Sequence, residues 1–393
     1  MALRLFVMDH NCAFTKKQSL YIRLMERFDI HVTILAPEKW MNPFGQSCVV
    51  SQKHTGFRGD FVTRPVAIRS SVPKHLYIAD LGKILSKAKP DIIYGYHDYY
   101  MLAAYQLFRA NRRGVGVPIG FYASQNIFKT FPFPISNFEK KVLQGATFLF
   151  PISSEATDLA RSKGFNGEIC DMPLYVDTSI FDARLSKENT WRKRITNNPK
   201  SFLIGFAGRF VPEKGLSDLI DAVSMLKDES VQIVLVGQGP EQDALERRAR
   251  DRGIANQLHI VPPTNQSDLA PVLAACAVIV MPSLSYPGWK DQFGRLIIEA
   301  LACGTPVLGS DSGAIPEVIE QTKGGLIFPE GDPRALMGLV SDLRKNPSRL
   351  KELATRGLAA TRENFTLDAM ADRMGGYFES HAKRPDRARS LLS

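Results

Sequence analysis

Two acidic residues, Asp291 and Glu299, are separated by seven residues in a segment that combines charge, glycine and an aliphatic run. Gly294 lies between them, where a helix can begin, and the first amides of a helix have N–H groups that can bind phosphate oxygens. Asp291 would lie in the preceding loop and Glu299 about one turn inside the helix. Because a carboxylate accepts hydrogen bonds through both oxygens, it suits vicinal sugar hydroxyls. The spacing predicts a site for phosphate and sugar groups.

The alternative interpretation of this segment is an acid near a helix N-terminus and a solvated helical glutamate. Glu299, however, has aliphatic neighbours on both sides in the sequence. A charged group in such apolar surroundings usually has a partner. The sequence therefore favours a functional carboxylate at this position.

Two cations, Arg209 and Lys214, follow a predicted strand that ends in a glycine turn at Gly208. An arginine fork and a lysine point charge can together hold the two phosphates of a nucleoside diphosphate. A surface turn with two solvated cations is the alternative, since the segment has neither a P-loop nor a full Gly-x-Gly-x-x-Gly pattern. The residues alone leave both interpretations open.

The elements that must position these residues are predicted from hydrophobic patterning. Short runs of β-branched and aromatic residues alternate with segments of helical length, which predicts βα units and parallel sheets. Strands are predicted in the first half at 3–8, 31–36, 91–94, 119–123, 148–151 and 168–172, with helices at 76–89 and 153–163. Strands are predicted in the second half at 202–207, 231–236, 258–261, 277–281, 306–309 and 325–328.

A polar stretch without apolar periodicity covers residues 184–201 and predicts a linker. The predicted organisation is a Rossmann-like domain at 1–185, a linker at 186–200 and a second Rossmann-like domain at 201–365. Residues 366–393 are predicted to form a helix that returns to the first domain, followed by a basic tail. Ligands of two such doubly wound sheets would bind outside the carboxyl ends of the strands, in a cleft between facing domains.

The overall composition excludes several classes of protein. The chain has 393 residues, of which 44% are hydrophobic and 23% charged, so disorder, collagen and coiled coil are excluded. The five cysteines have no Cys-x-x-Cys spacing, which disfavours a zinc site or a disulfide framework. The sequence has no signal peptide pattern and no run long enough to cross a bilayer, so a cytoplasmic location is expected.

The formal net charge of +10 is concentrated in the first half, where residues 1–185 carry 23 Lys and Arg against 15 Asp and Glu. Such asymmetry is typical of a surface for anionic partners, and a solvated basic face is the alternative. In residues 127–135, phenylalanines alternate with Lys129, and Lys140 and Lys141 follow. This pattern predicts peripheral contact with the inner face of the cytoplasmic membrane, unless Phe128, Phe131 and Phe133 pack into the core.

These motifs together resemble those of the retaining GT-B glycosyltransferases, in the large Glu-x7-Glu family that includes sucrose, phosphatidylinositol-mannoside and bacterial exopolysaccharide transferases. The resemblance rests on Gly208-Arg209 with Glu213-Lys214-Gly215, on Leu235-Val-Gly237-Gln-Gly239-Pro, on Asp291 with Glu299, and on residues 309–317. It covers most of the second half. Asp291 stands where the family more commonly has glutamate, which shortens the reach by one methylene.

The resemblance implies a role for each matching residue. Glu299 would hold the donor ribose, Arg209 and Lys214 the diphosphate, and Asp291 with the backbone of 292–294 the donor sugar. The implied donor-binding residues are Gly208, Arg209, Lys214, Asp291, Gln292, Phe293, Gly294, Arg295, Leu296 and Glu299. The implied catalytic residues are His97, Arg209, Lys214 and Asp291.

The first half matches the family less closely. His97 follows a predicted strand, as does the family's histidine beside the donor sugar, whereas a lone histidine there is more often structural. The glycine pair usual after the first strand is replaced by Asp9-His10-Asn11-Cys12-Ala13. Close approach of a ligand to the backbone of that loop is therefore not predicted.

No Asp-x-Asp is present, so neither a metal nor another cofactor is expected, and the cations with the helix N-terminus would supply the positive charge. The sequence predicts a retaining, metal-independent glycosyltransferase that moves a sugar from a nucleotide-diphosphate sugar to a saccharide or lipid-linked acceptor, in exopolysaccharide, cell-envelope or glycolipid biosynthesis. A nucleotide-sugar 2-epimerase of the same fold is the alternative enzyme. A basic nucleic-acid-binding protein is a third option, although no nucleic-acid-binding motif accompanies the charge and no nucleic-acid partner is expected.

Overall fold

The computed structural model describes residues 2–41, 48–69, 71–186, 191–196, 198 and 200–382. The chain divides into two compact units. The first unit comprises Met1–Pro173 and Leu367–Ser393, and the second comprises Leu174–Thr366. Each unit contains one parallel sheet with helices, so the predicted fold class of two Rossmann-like doubly wound domains is confirmed.

The first unit is built on a seven-stranded sheet. The described strands of the whole unit, which include four outside this sheet, are β1 (Leu3–Met8), β2 (Ile30–Pro37), β3 (Lys39–Met41), β4 (Cys48–Val50), β5 (Asp60–Arg64), β6 (Val66–Ala67), β7 (Leu76–Tyr77), β8 (Ile92–Gly95), β9 (Ile119–Ala123), β10 (Phe148–Pro151) and β11 (Glu168–Ile169). The main sheet has the order β11-β10-β9-β8-β1-β2-β5 and is parallel throughout. Strands β3 and β4, and strands β6 and β7, form two small antiparallel pairs.

The helices of the first unit are α1 (Ser19–Arg27), α2 (Leu81–Ala88), α3 (Leu102–Arg113), α4 (Ile135–Gly145), α5 (Ser154–Ser162) and, from the end of the chain, α14 (Leu367–Ala382). Strands β8 and β10 are buried along their whole length, as expected of parallel strands covered on both faces. The hydroxyl of Ser153 caps α5 by accepting a hydrogen bond from the amide of Ala156. The apolar run of β10 is thus followed by a capping serine, and the next helix begins there.

Two sequence predictions for the first unit are wrong in extent, and one strand of the main sheet was not predicted. The helix predicted at 76–89 begins only at Leu81, because the carboxylate of Asp80 caps α2 and the preceding residues pair as β7. The last strand ends at Ile169 instead of residue 172. Strand β5 was not predicted, since its side chains are exposed or half-buried and lack a continuous apolar run.

The second unit contains a six-stranded parallel sheet of order β14-β13-β12-β15-β16-β17. Its strands are β12 (Phe202–Arg209), β13 (Val231–Gln238), β14 (Leu258–Val261), β15 (Val278–Met281), β16 (Val307–Ser310) and β17 (Gly325–Phe328). Its helices are α6 (Trp191–Ile195), α7 (Leu216–Leu226), α8 (Gln242–Asp251), α9 (Gln266–Ala275), α10 (Arg295–Ala302), α11 (Ile315–Thr322), α12 (Pro333–Lys345) and α13 (Pro347–Asn364). Every strand predicted in this half is present within two residues at each end.

The segment predicted as a linker, 186–200, is part of the second unit where the structure describes it. Helix α6 contributes Trp191 and Ile195 to a cluster around Val234 and Val272. Residues 191–195 therefore form a helix of the second unit instead of a free linker. The two apolar residues lie four apart on one helical face and gain burial by packing on the sheet. Residues 187–190, 197 and 199 of the predicted linker lie outside the described residues.

Helix α14 packs on α1 inside the first unit, as predicted for the helix that follows residue 366. The basic tail predicted after this helix lies outside the described residues, which end at 382. Arg23 and Arg27 of α1 pair with Asp368 and Asp372 of α14, respectively. The two acid–base pairs are spaced by one helical turn on each partner, so they align the helices side by side. Among the described residues, no helix combines the length and apolarity that spanning a membrane requires.

Candidate functional site

Strands β12 and β15 are neighbours at the centre of the second sheet, and the chain proceeds from them toward opposite edges. This arrangement is a topological switch point, where the loops after the two strands diverge and leave a crevice for ligands. The loop after β12 carries Arg209 and Lys214, and the loop after β15 leads to Asp291 and helix α10. The fold therefore brings the second-half residues singled out in the sequence to one end of one sheet.

Lys214 and Asp291 form an ion pair, with 2.9 Å between Nζ and Oδ2. Their side chains are only 16% and 12% exposed, so the pair is partly shielded from water. Nζ also lies 4.8 Å from the centre of the Trp289 ring, a cation–π distance. The ammonium is thus held in one place before any ligand binds, whereas Arg209 is exposed at the end of β12.

Helix α10 begins directly after Gly294, as the sequence predicts. Gly294 has a φ of 75°, in the left-handed region that a residue with a Cβ enters only at a cost. Phe293 and Leu296 are buried beside this turn, while Gln292 and Arg295 are exposed. The buried pair anchors the start of the helix and orients its first amides, and the exposed pair faces solvent.

Glu299 is buried in α10, with 8% of its surface exposed. The side-chain amide of Gln266, the first residue of α9, donates a hydrogen bond through Nε2 to Oε1 of Glu299 at 3.4 Å. A carboxylate in this setting has lost most of its hydration and gains strongly from hydrogen-bond donors such as hydroxyl groups. The local environment fits the predicted role in binding a sugar diol.

Trp289, which the sequence analysis did not single out, and two residues of the 309–317 segment complete this end of the sheet. Trp289 packs on Lys214, and the carbonyl of Asp291 accepts a hydrogen bond from the amide of Ala314. Gly313 has a φ of 57°, and a Cβ at this position would lie 2.1 Å from the carbonyl oxygen of Asp291. Close backbone contact therefore requires glycine at position 313. The sequence alone indicates this glycine only as part of the 309–317 motif.

His97 belongs to the first unit, two residues after β8, and is 1% exposed. Its Nε2 lies 3.1 Å from Nε2 of His75, and burial lowers its pKa well below the usual range for histidine. The family resemblance placed His97 beside the donor sugar, with a lone structural histidine as the alternative. In the structure His97 is not alone, because His10 and His75 lie next to it.

The arrangement in the second unit can bind a diphosphate and a sugar by ordinary electrostatics. Arg209, Lys214 and the first amides of α10 offer positive charge and N–H donors at one switch point. Asp291 and Glu299 offer acceptors on either side of the helix start. A cation and a carboxylate already paired in a fixed geometry suit a transition state in which charge develops on a leaving group.

The comparison with protein families matches this same region. Residues 187–359 match the family described as "Glycosyl transferases group 1". A D-inositol 3-phosphate glycosyltransferase from Jonesia denitrificans is 29% identical over 215 residues, which cover 52% of this chain and 49% of that protein. The match thus spans about half the length of the curated relative.

Solved structures share the fold over nearly the whole chain. A sucrose-phosphate synthase from Thermosynechococcus elongatus has a TM-score of 0.71 at 18% identity and covers 96% of this chain and 99% of its own. Alr3699/HepE from Anabaena, solved in complex with UDP, has a TM-score of 0.71 at 16% identity and covers 97% and 100%. These similarities confirm the GT-B fold class that the sequence resemblance implied.

Proposed function

We propose that the protein is a retaining glycosyltransferase that moves a sugar from a nucleotide-diphosphate sugar to a hydroxyl acceptor. The observation that carries this proposal is the switch point of the second sheet, where Lys214 and Asp291 are paired at 2.9 Å beside the start of α10. The family match of residues 187–359 includes this whole region. The UDP bound to Alr3699/HepE supports a nucleotide-linked donor for a chain of the same fold.

The diphosphate would bind to Arg209, Lys214 and the amides that follow Gly294, with the glycine turn at Gly208 leaving room for its oxygens. As the sugar leaves, negative charge grows on the diphosphate, and these fixed donors stabilise it most in the transition state. Lys214 would exchange part of its interaction with Asp291 for the phosphate. The cost of reorganisation is small because the ammonium is already held against Trp289.

The sugar-binding groups would lie on either side of the start of α10. Glu299 would accept hydrogen bonds from the ribose hydroxyls, with Gln266 close enough to take part. Asp291 and the backbone of 292–294 would hold the donor sugar, with Phe293 and Leu296 fixing the turn and Arg295 at the solvent side. His97 is proposed to act beside the donor sugar, in line with the family resemblance.

Retention of configuration would follow if the acceptor attacks from the face that the diphosphate leaves. The leaving diphosphate can then take the acceptor proton, so no carboxylate nucleophile is needed. Lys214 and Arg209 would keep this anion in place during the proton transfer. Nuclear magnetic resonance of the first-formed product tests this, because an inverted anomer would contradict the proposal.

Metal independence of the diphosphate site is part of the proposal, since Arg209, Lys214 and the helix N-terminus supply its positive charge. Activity measured in EDTA should equal that in Mg²⁺ or Mn²⁺. Activity that is lost in EDTA and restored by Mn²⁺ would contradict a metal-free diphosphate site.

A thermal-shift panel of UDP-, GDP- and ADP-sugars tests donor binding directly. The correct donor at about 100 times its Kd should stabilise the fold by about 2.7 kcal/mol, which separates it from the other bases. The stabilising nucleotide sugar then enters an assay with saccharide and lipid-linked acceptors. Failure of every nucleotide sugar to shift the melting temperature would contradict the donor site.

The alternative enzyme, a nucleotide-sugar 2-epimerase, would release an epimerised nucleotide sugar without transfer to an acceptor. Product analysis of the same reactions distinguishes the two, and the family match favours transfer. Nucleic-acid binding that falls steeply with salt and is unaffected by nucleotide sugar would instead support the basic binding protein.

A cytoplasmic location with peripheral membrane contact is proposed for the acceptor-binding half. Phe128 and Phe133 are 62% and 82% exposed, whereas Phe131 stacks on Tyr100 with ring centres 5.0 Å apart. Phe131 is thus packed against the unit, while Phe128 and Phe133 keep most of their surface exposed, although the ring of Phe128 lies 5.3 Å from Nζ of Lys163. Exposed aromatics beside cations favour the headgroup region of an anionic leaflet.

The cations of this surface are exposed as well, namely Lys129, Lys140 and Lys141. Flotation with anionic and neutral liposomes at low salt and at ~0.5 M salt tests the contact. High salt shortens the electrostatic screening length to a few ångströms and so weakens attraction to an anionic surface. The double variant Phe128→Ser, Phe133→Ser should lose the preference for anionic liposomes, while the control Ile78→Ser, also on an exposed residue, should keep it. Equal flotation of the parent protein with both lipids would contradict the membrane contact and favour a soluble acceptor.

A further inference from the structure

Three histidines meet at the switch point of the first sheet. Strands β1 and β8 are neighbours there, and the chain proceeds from them toward opposite edges. His10 lies two residues after β1 and His97 two residues after β8, while His75 comes from the segment just before β7. A crevice outside the carboxyl ends of two diverging strands is the place where such sheets bind ligands.

The three imidazole rings form a nearly equilateral triangle. Their centres are 5.3 Å apart for His10 and His75, 5.0 Å for His10 and His97, and 5.0 Å for His75 and His97. Three imidazoles bound tetrahedrally at about 2.0–2.1 Å from one zinc ion would place their ring centres roughly 5 Å apart. The observed triangle therefore has the size of a three-histidine metal centre.

The nitrogen atoms of the three rings converge in the same way. One nitrogen from each lies within 4.8 Å of the other two, and Nε2 of His75 is 3.1 Å from Nε2 of His97. The corresponding separation around a tetrahedral zinc ion is about 3.3 Å. Two ligand atoms are already at this spacing, and the nitrogen of His10 lies within 4.8 Å of both.

His75 has the second contact that a metal-binding histidine normally makes. Its Nδ1 lies 2.6 Å from the carbonyl oxygen of Val72, so Nδ1 carries the proton and donates it to that oxygen. Nε2 is then the nitrogen with the lone pair, and without a metal ion it accepts a hydrogen bond from Nε2 of His97 at 3.1 Å. A backbone carbonyl that fixes the tautomer of a ligating imidazole is a recurrent feature of metal sites.

The other two rings have buried nitrogens that nothing in the described part of the chain satisfies, Nδ1 of His10 and Nδ1 of His97. All three side chains are at least nine-tenths buried. Buried imidazole nitrogens of this kind are donor atoms that suit a borderline metal ion.

The neighbouring acids are already occupied. Asp9 accepts hydrogen bonds from the amide of Asn11 and the hydroxyl of Tyr21, one on each oxygen. Asp98 accepts two from Ser124 in the same manner. The donor set is thus three imidazoles, with a fourth position for water or another ligand.

We propose that His10, His75 and His97 form a binding site for a divalent transition metal ion, with zinc as the ion that fits the donor set. Soft-to-borderline ions accept three imidazoles, whereas Mg²⁺ and Ca²⁺ prefer oxygen. The site rests on the three histidines and stands independently of the proposed transfer reaction.

The test uses metal binding to the full chain as the readout. Protein treated with chelator and dialysed is titrated with Co²⁺, whose visible absorption reports a tetrahedral site, and Zn²⁺ is then added in competition. We expect one Co²⁺ per chain and its displacement by one Zn²⁺. Absence of stoichiometric binding by either ion overturns the proposal, whatever the transfer activity of the protein.

Variants assign the site to its residues. His10→Gln and His75→Gln should each weaken Zn²⁺ binding by at least about 100-fold, because loss of a ligand costs more than loss of its second-shell partner, which costs 10–100-fold. The control His259→Gln changes a half-buried histidine of β14 that hydrogen-bonds Gln232 and should bind Zn²⁺ like the parent. Unchanged Zn²⁺ binding in folded His10→Gln and His75→Gln would place the ion elsewhere and overturn the proposal.

Should those variants fail to fold, X-ray absorption at the zinc edge of the parent protein gives an independent answer. Three imidazole ligands produce a nitrogen shell near 2.0–2.1 Å with multiple scattering from the rings. A first shell of sulfur near 2.3 Å, from cysteines, or of carboxylate oxygens alone would overturn the assignment.

Discussion

The switch points of the two sheets differ in chemistry although the two sheets share a topology. In the second unit, that point carries permanent charges, Lys214 and Asp291, paired beside a helix N-terminus. In the first unit, it carries three buried neutral imidazoles and an indole, Trp40, that packs on two of them. The first arrangement suits anions and hydroxyl groups, and the second suits a transition metal ion that accepts neutral imidazole.

The two regions also differ in how they are encoded. The residues of the charged site lie in two short stretches, each anchored by a glycine turn, so motif and site nearly coincide in the sequence. The histidines come from positions 10, 75 and 97 and meet only because β1 and β8 are adjacent. The contrast shows that a switch point concentrates residues whether or not a motif marks them.

The largest expected effect comes from removing the fixed cation. We expect Lys214→Ala to lower kcat by about 10²–10³ with a smaller change in KM, because the ammonium meets charge that grows on the leaving diphosphate. Arg209→Ala should act in the same direction. Steady-state kinetics with the donor found in the panel measure both, and Lys351→Ala, an exposed lysine of α13, is the control. A change in KM alone would assign the cations to ground-state binding.

A smaller effect is expected from neutralising the buried acid of α10. Glu299→Gln keeps the shape of the side chain and loses a charge-assisted acceptor, so donor affinity should fall by about 1.5–3 kcal/mol, or roughly 10- to 150-fold. Calorimetric titration measures the affinity, and circular dichroism verifies the fold. Glu320→Gln, an exposed residue of α11, should bind donor like the parent. Equal affinity in Glu299→Gln and parent would remove Glu299 from the ribose site.

Much of this architecture follows from the sequence because buried parallel strands are continuously apolar. Strands β1, β9, β10, β14 and β17 have the predicted bounds, and α10 begins where Gly294 indicates. The predictions that failed concern segments without this signal. Strand β5 is largely polar, and Trp191 with Ile195 form too short a pattern to distinguish a helix from a linker. His75 has no local signal at all, since only the tertiary fold brings it to His97.

Replacing the glycine behind Asp291 should lower stability by at least about 1–2 kcal/mol, the cost of a Cβ in the left-handed region. In Gly313→Ala the new Cβ would also lie 2.1 Å from the carbonyl oxygen of Asp291, and relief of this overlap adds to the cost and displaces the loop that holds the carboxylate. We therefore expect weaker donor binding together with lower stability in urea. Gly338→Ala is the matched control, because no atom lies within 4 Å of its added Cβ and the helix should gain about 0.5–1 kcal/mol. Parent-like stability and donor binding in Gly313→Ala would show that the contact relaxes freely.

The last effect depends on pH and concerns the buried histidines, and its sign follows from proton linkage. Burial lowers the pKa of His75 to about 4, below the value near 6.5 in an unfolded chain. Between these values the unfolded chain binds a proton that the folded chain does not, so stability falls as pH decreases from about 6.5 to about 4. The slope is at most about 1.4 kcal/mol per pH unit for one histidine.

Asp9 acts in the opposite direction, because burial raises its pKa to about 6 and the folded chain binds the extra proton above pH 4. Urea unfolding in EDTA between pH 4 and 7 separates the two effects. His75→Gln should lose stability less steeply than the parent as pH falls, and Asp9→Asn should lose it more steeply. Addition of 0.5 M salt should leave both slopes nearly unchanged, since burial and not surface charge causes these shifts. Parallel curves for His75→Gln and parent would mean that His75 is protonated equally in the folded and unfolded chain, contrary to its burial among neutral imidazoles.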